Sequence, residues 1–364
     1  MDFHSNSKYI TIETPGRICL FGDHQDYLHL PVIACAINRK TTLSAKKNTS
    51  EYFEISMADI SEKRRILISE TFDVLEPNDF FASALRVVKR YGCIPNSGYT
   101  IEIKSDIPIN AGVSSSSAMV VAWVHFLLES FGSHQKLTPQ FLAQLAYEAE
   151  VLEHNGPGGR MDEYTIAIGN IIYIDTSKDS DFKTIGTHLD GLILAESGIP
   201  KETIGLLSHV KTNALKSIDL VKINNPSFDI KMATMEDYES YSKELPKELV
   251  PYFYGAIKNH LITQKALKAL EEKSLNPILI GKLMNEHHNV LKDSLKITVP
   301  KIDVMIKAAL DAGAYGAKIV GSGGGGSIVA LASTDKKNAI IQALLDSGAK
   351  SAYEVSVSEG SEKV

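Results

Sequence analysis

Little in this chain of 364 residues marks it for secretion, for a membrane or for nucleic acid. There are three cysteines, Cys19, Cys35 and Cys93, widely spaced and without a CxxC, so neither a disulfide framework nor a cysteine zinc site is implied. No cysteine-nucleophile signature surrounds them, and they read as buried thiols of a reducing compartment. No stretch approaches the roughly 20 apolar residues of a membrane span. The opening MDFHSNSKYITIE has no apolar core of the signal-peptide kind, so a cytoplasmic location is expected. The 38 Lys and Arg are scattered among 44 Asp and Glu for a net charge of -6, which leaves no basic patch for nucleic acid or an anionic membrane. Internal repeats and low-complexity segments are missing too.

What remains is ordinary globular material, with 44% hydrophobic and 23% charged residues. The length suits a two-lobed enzyme with a cleft, and a small molecule is the expected partner. Val-, Ile-, Thr- and aromatic-rich runs predict strands at Tyr9–Glu13, Ile18–Phe21, Val32–Ile37, Thr41–Ala45, Phe53–Ile55, Arg65–Ser69 and Tyr99–Lys104. Helical spacing follows over Ser114–Phe131 and from Thr138 toward His154, and a strand is expected at Thr165–Asp175. Polar residues cluster at 176–190, the expected domain boundary. Beyond it come helices at Lys201–Lys222, Leu249–Glu271, Pro277–Leu291 and Lys301–Ala312, and strands at Ala317–Val320, Ser327–Ala332 and Ala352–Val357.

Four segments carry chemistry. PINAGVSSSSA (108–118) is a strand-to-helix junction rich in hydroxyls. A helix N-terminus presents unpaired N–H groups and a partial positive charge, so it can hold phosphate, and its serines can ligate magnesium. A serine cap alone would look similar, but four consecutive serines exceed what capping needs. No Gly-Lys-Ser/Thr follows, so this is not a Walker A loop. GSGGGG (321–326) lies between two strands and offers either an anion-binding concavity or a tight connector. PGRICLFGDHQDY (15–27) puts Asp23, His24 and Asp26 directly after a strand, a set suited to sugar hydroxyls or to a solvated turn. GGRMDEY (158–164) reads as a glycine-led loop running into a strand and delivering Asp162, which could orient or deprotonate an acceptor hydroxyl. Upstream, Glu150 stands near a helix end, where a surface charge is the plain alternative.

In this order the four segments resemble the GHMP small-molecule kinases, and among them most closely the galactokinases. The resemblance implies a two-domain α+β fold, with a β-rich N-terminal domain over 1–185 and a ferredoxin-like C-terminal domain over 186–364. ATP and a sugar would meet in the cleft between them, and the γ-phosphoryl group would pass to the anomeric hydroxyl of galactose or a close relative. By the same resemblance Asp162 is the catalytic aspartate and Arg17 its neighbour. Gly112, Ser114, Ser115, Ser116, Ser117, Gly323 and Gly324 would bind nucleotide, and Ser116 and Glu150 magnesium. Asp23, His24, Asp26 and Gly159 would bind the sugar. A monomer or homodimer is expected.

Several positions depart from the galactokinase pattern. Asp23 stands where the family has Glu, Cys19 where it has Asn, and Leu28-His29-Leu30 where it has Asn-Gly-Gly. The segment that presents a tyrosine to the sugar places Ser208 instead, and Ser117 replaces an alanine. Arg160 replaces an apolar residue and could pair with a substrate carboxylate. The shorter Asp23 would reach a sugar hydroxyl through water or leave room for a bulkier substituent, so galactose is expected to bind more weakly than the best substrate. Two rivals therefore stand beside a galactokinase: a sibling kinase for a uronic acid, pentose, fucose or amino sugar, and a non-catalytic sensor of ATP and sugar.

Overall fold

Two antiparallel-dominated sheets organise the molecule, a computed structural model that describes residues 9–177, 181–200 and 203–364. The first sheet is built from β1 (Tyr9–Phe21), β2 (Val32–Lys47), β3 (Tyr52–Met57), β4 (Glu62–Leu67), β5 (Tyr99–Ser105), β6 (Ile171–Ile174) and β7 (Phe182–Ile185). The second holds β8 (Leu192–Glu196), β9 (Gly316–Val320), β10 (Ser327–Leu331) and β11 (Ser351–Val355), in the order β11-β8-β10-β9. A last strand, β12 (Glu362–Lys363), returns to the first sheet, whose order is β12-β1-β2-β5-β3-β4 with β6 and β7 branching from β2.

The sequence breaks β1 and β2 into pieces, yet each is one long strand. Pro15 and Gly16 sit at a shift in the β1–β2 register, so the strand bulges there and continues. That bulge bends β1 toward the chemistry: the backbone N–H of Arg17 leaves β2 and donates to Val113 O at 3.1 Å.

Helices α2 (Ser115–Phe131) and α4 (Met161–Ile168) pack on the large sheet, and α1 (Phe80–Arg90) and α3 (Pro139–Tyr147) pack against them. The core between them is aromatic and close-packed. Trp123 of α2 is fully buried against Phe53 of β3, with its indole N–H bonded to Phe81 O, so the one polar atom of that ring is satisfied. In the C-terminal half come α5 (Thr203–Asn224), α6 (Met235–Tyr241), α7 (Val250–Leu270), α8 (Pro277–Asn289), α9 (Pro300–Asp311) and α10 (Lys337–Asp346). Of these α9 and α10 pack on the small sheet, and α8 runs beside β9.

One expected strand is wrong at its start. Thr165–Asp175 divides into the C-terminal part of α4 and the short β6, because Gly169 (φ 79°) and Asn170 (φ 60°) turn the chain out of the helix in mid-segment. Its β-branched residues resemble a strand, but burial of α4 on the sheet decides for helix. Asp162 is therefore delivered by the first turn of a helix rather than by a loop entering a strand. Helices α1, α6 and α10 and strands β7 and β8 have no counterpart in the sequence reading. The expected helix from Lys201 begins outside the described residues, as does part of the 176–190 boundary.

Candidate functional site

The motif segments meet at a cavity of about 640 Å³. Arg17, Asp23, His24, Asp26, Gly112, Ser114, Ser115, Ser116, Ser117, Glu150, Gly159 and Asp162 all line it. Residues as far apart as 17 and 162 become neighbours because β1 and α4 pack on each other.

Its centre is Asp162. Arg17 reaches it with a two-pronged contact, Nε to Oδ1 at 2.7 Å and Nη2 to Oδ2 at 2.6 Å, and Nη1 bonds Gly112 O at 2.6 Å. Burial opposes the charge of Arg17, but the Asp162 carboxylate outweighs it and holds the guanidinium above its ordinary pKa. Ser114 adds a hydroxyl hydrogen bond to Oδ2. Arg17 is buried, whereas the Asp162 side chain keeps 29% of its surface open, so the carboxylate is fixed from behind and presented to the cavity.

Ser114 has left-handed geometry (φ 61°, ψ 45°) and no side-chain cap, so the first turn of α2 keeps its N–H groups for a ligand. Gly112 (φ +86°) is required there twice over. Its backbone is left-handed, and a Cβ would stand 2.7 Å from Val320 O.

Glu150 sits on the wide helical turn Glu148–Leu152 after α3 and accepts from the hydroxyls of Ser116 and Ser117. Burial first, and the charge of Asp162 second, push its pKa up to about 7. Its Oε2 is buried with no hydrogen-bond partner. An under-compensated carboxylate beside hydroxyls fits a hard cation such as Mg²⁺, which needs one or two protein groups plus phosphates and water. Among the described residues no group of three or more His, Cys, Asp or Glu could hold a metal.

At the other end lies the Asp23–Asp26 turn. Asp26 is partly exposed, and burial, then the Asp162 charge, push its pKa up to about 6. Gly159 faces it so closely that a Cβ would stand 2.2 Å from Asp26 Oδ2. His24 bonds through Nε2 to Ser322 O (3.1 Å) and through Nδ1 to the Tyr27 hydroxyl (3.0 Å). Since a carbonyl only accepts, Nε2 carries the proton, and burial keeps the ring neutral. Asp23 is turned away from the ligand side: Oδ2 pairs with Lys318 Nζ at 2.7 Å and Oδ1 accepts from Gly321 N–H at 3.1 Å.

Three sequence expectations need correction. Gly323 and Gly324 do not line the cavity, because the loop is bound to its own protein: Gly324 N–H donates to Ile297 O and Gly326 N–H to Ile199 O. The residues of that segment at the cavity are Gly321 and Ser322. Arg160 stacks over the Tyr147 ring at 5.0 Å and lies outside the lining, so a pairing with a substrate carboxylate has no geometric support. Ser208 is exposed on α5, and its neighbour Leu207 lines the cavity instead.

Sequence reasoning missed Lys318, buried behind Asp23 and outside the lining, and two features of the cavity wall, Glu163 and an apolar end formed by Met57, Ile60, Phe80 and Ile103. For Lys318 the signal was a lysine inside the otherwise apolar strand β9; for the apolar end no sequence signal stands out.

Comparisons with known proteins converge on the same reading. "Galactokinase galactose-binding signature" matches residues 2–47, "GHMP kinases N terminal domain" residues 79–170 and "GHMP kinases C terminal" residues 266–350. A galactokinase of Haemophilus influenzae is 28% identical, over 94% of this chain and 90% of its own length. A mevalonate kinase of Thermococcus gammatolerans is nearly as similar, at 27% identity over 93% of each chain. In structure, the galactokinase of Lactococcus lactis, solved with galactose, superposes with a TM-score of 0.86 over 100% of this chain and 97% of its own, at 20% identity. The chain belongs to the GHMP kinases and carries the galactose-binding signature of galactokinases.

Proposed function

We propose that this chain is an ATP-dependent sugar kinase that transfers the γ-phosphoryl group to the anomeric hydroxyl of galactose or a closely related hexose. The observation that carries the reading is Asp162, fixed from behind by Arg17 and Ser114 and facing the uncapped N-terminus of α2 across one cavity. In the bound state, the first turn of α2 takes the phosphates and the apolar end takes the base. Ser116 and Glu150 would hold magnesium, whose charge offsets that of the phosphates. Asp162 orients the acceptor hydroxyl and receives its proton, and Arg17 holds the carboxylate in place. Asp26, with Gly159 giving it room, accepts from sugar hydroxyls. Catalysis of this kind is mostly positioning and electrostatics.

The galactose-binding signature and the galactokinase relatives support a sugar over mevalonate as acceptor. The engagement of Asp23 by Lys318 favours a second reading on the choice of sugar, because it removes one carboxylate from the hydroxyl-binding set. ADP release with galactose, other hexoses, pentoses, uronic acids and mevalonate tests both readings. Turnover with galactose or another hexose is expected. Turnover with mevalonate alone would overturn the sugar assignment, and tight ATP and sugar binding without any ADP would make the chain a sensor.

A further inference from the structure

We propose that Glu163 is a direct ligand of the divalent cation and forms with Glu150 a two-carboxylate seat beneath the phosphates. The inference rests on the kinase reading above and adds to it a residue that no motif singled out.

Consecutive residues on a helix point about 100° apart. At the start of α4 Asp162 goes to Arg17 and Ser114, while Glu163 goes to Glu150. Glu163 is 1% exposed, belongs to the cavity wall, and its carboxyl is hydrogen-bonded with that of Glu150. The Oε2 of Glu163 and the Oε2 of Glu150 are both buried and both without a partner. The base of the cavity thus holds two acids in contact with a third, Asp162, close by, while the guanidinium of Arg17 is committed to Asp162.

Such an arrangement is costly when left as it stands. Two buried carboxylates in contact cannot both ionise without a counter-charge. What the seat needs is a positive centre that fills the unpartnered Oε2 positions of both acids. A divalent cation does so directly. It supplies the missing charge and occupies lone pairs that no protein donor reaches, and the hydroxyls of Ser116 and Ser117, already on Glu150, stand at the same place. If Glu163 only held the fold together, an amide would do as well, since its N–H₂ could donate to Glu150 and remove the repulsion.

Glu163→Gln separates the two roles. Binding of Mn²⁺ to the full-length protein would be followed by electron paramagnetic resonance with a non-hydrolysable ATP analogue present. Affinity of the analogue itself would be measured in EDTA. Expected for Glu163→Gln is a loss of Mn²⁺ affinity of at least about tenfold, with analogue affinity in EDTA within twofold of wild type. Mn²⁺ affinity within twofold of wild type would overturn the proposal and leave the kinase reading standing. Wild-type protein that binds no Mn²⁺ with the analogue would overturn both. Should Glu163→Gln fail to fold, anomalous scattering from Mn²⁺ in wild-type crystals with the analogue decides instead. A metal bonded to both carboxylates is expected, and one bonded to Glu150 alone would refute the role of Glu163.

Discussion

Asp23 Oδ2 and Lys318 Nζ lie 2.7 Å apart in a site where both side chains are essentially inaccessible, at 1% and 0% exposure. Lys318 also donates to Cys19 O at 2.9 Å and Ile319 O at 2.8 Å, and Asp23 accepts from Gly321 N–H. Burial would raise the pKa of Asp23, but Lys318 and then His287 override it and the carboxylate is held below its ordinary value. The pair joins the turn after β1 to β9, and with the Gly321 N–H it ties that turn and the glycine-rich loop into one body. Removing one partner strands the other charge, which costs about 3–5 kcal/mol, whereas removing both costs far less. Lys318→Met should therefore be strongly destabilised in urea, and Asp23→Asn/Lys318→Met should recover part of that loss. A double variant as unstable as the two single losses added together would refute the coupling. Asp23→Glu should lower stability by pushing the extra methylene into Lys318, without changing which sugar is preferred.

Asp162→Asn keeps the shape of the side chain but weakens the two-pronged contact with Arg17 and cannot take a proton. A positioned general base is worth roughly 10²–10⁴ in rate. Turnover by ADP release should fall by about that factor, while affinity for an ATP analogue stays within a few-fold, because the backbone N–H groups of the first turn of α2 are left in place and only the Ser114 hydroxyl bond to Asp162 is altered. Turnover near wild type would show that the acceptor is deprotonated elsewhere.

The candidate site was largely legible in the sequence because phosphate and sugar loops need residues with special backbone or compact polar side chains, and these stand out locally. Gly112 is needed for its left-handed backbone and its closeness to Val320, and the serines follow at once. Partners joined only by folding were not legible. Nothing near residue 23 announces a lysine at 318, nor does anything near 150 announce Glu163. Gly323 and Gly324 lie off the cavity lining because glycine signals close approach without saying to what; here both approach Ile297. Asp162 was placed on a loop entering a strand because Ile, Thr and Tyr dominate the segment after it, a preference that packing of α4 on the sheet overrides.

Asp26 gives the site a pH dependence of definite sign. Its pKa rises from an ordinary 3.8 to about 6 through burial and the charge of Asp162. An acid raised in the folded state favours folding below its ordinary pKa, and that contribution is lost as pH rises through about 6. Two units amount to no more than about 3 kcal/mol, trimmed by the partial exposure of Asp26. Asp26→Asn removes the effect, so its stability relative to wild type should be better at pH 8 than at pH 4.5. In activity, KM for the sugar should rise as pH falls through about 6, since only the ionised carboxylate accepts two hydroxyls, while KM for ATP changes little. Equal pH responses of Asp26→Asn and wild type would show that Asp26 is not the group responsible.

Gly159 offers the most selective test of where the acceptor lies. Its φ is not in the left-handed region, so alanine is tolerated by the backbone, but the new Cβ would stand 2.2 Å from Asp26 Oδ2 and 2.5 Å from Cγ. The carboxylate must rotate away, and its hydrogen bond from Tyr27 N–H, 2.9 Å to Oδ1, resists that motion. If Asp26 grips the sugar, Gly159→Ala displaces the grip without touching α2, Ser116 or Glu150. A lost hydrogen bond to a charged group costs about 1.5–3 kcal/mol, or roughly tenfold to a hundredfold in binding. KM for the sugar should rise by that much, KM for ATP should stay within twofold, and the melting temperature should move only slightly. A rise confined to KM for ATP would place the nucleotide, and not the sugar, at the Asp26 end and reverse the orientation of both ligands in the cavity. No change in either constant would show that the turn carrying Asp26 yields without consequence and that the sugar is held elsewhere.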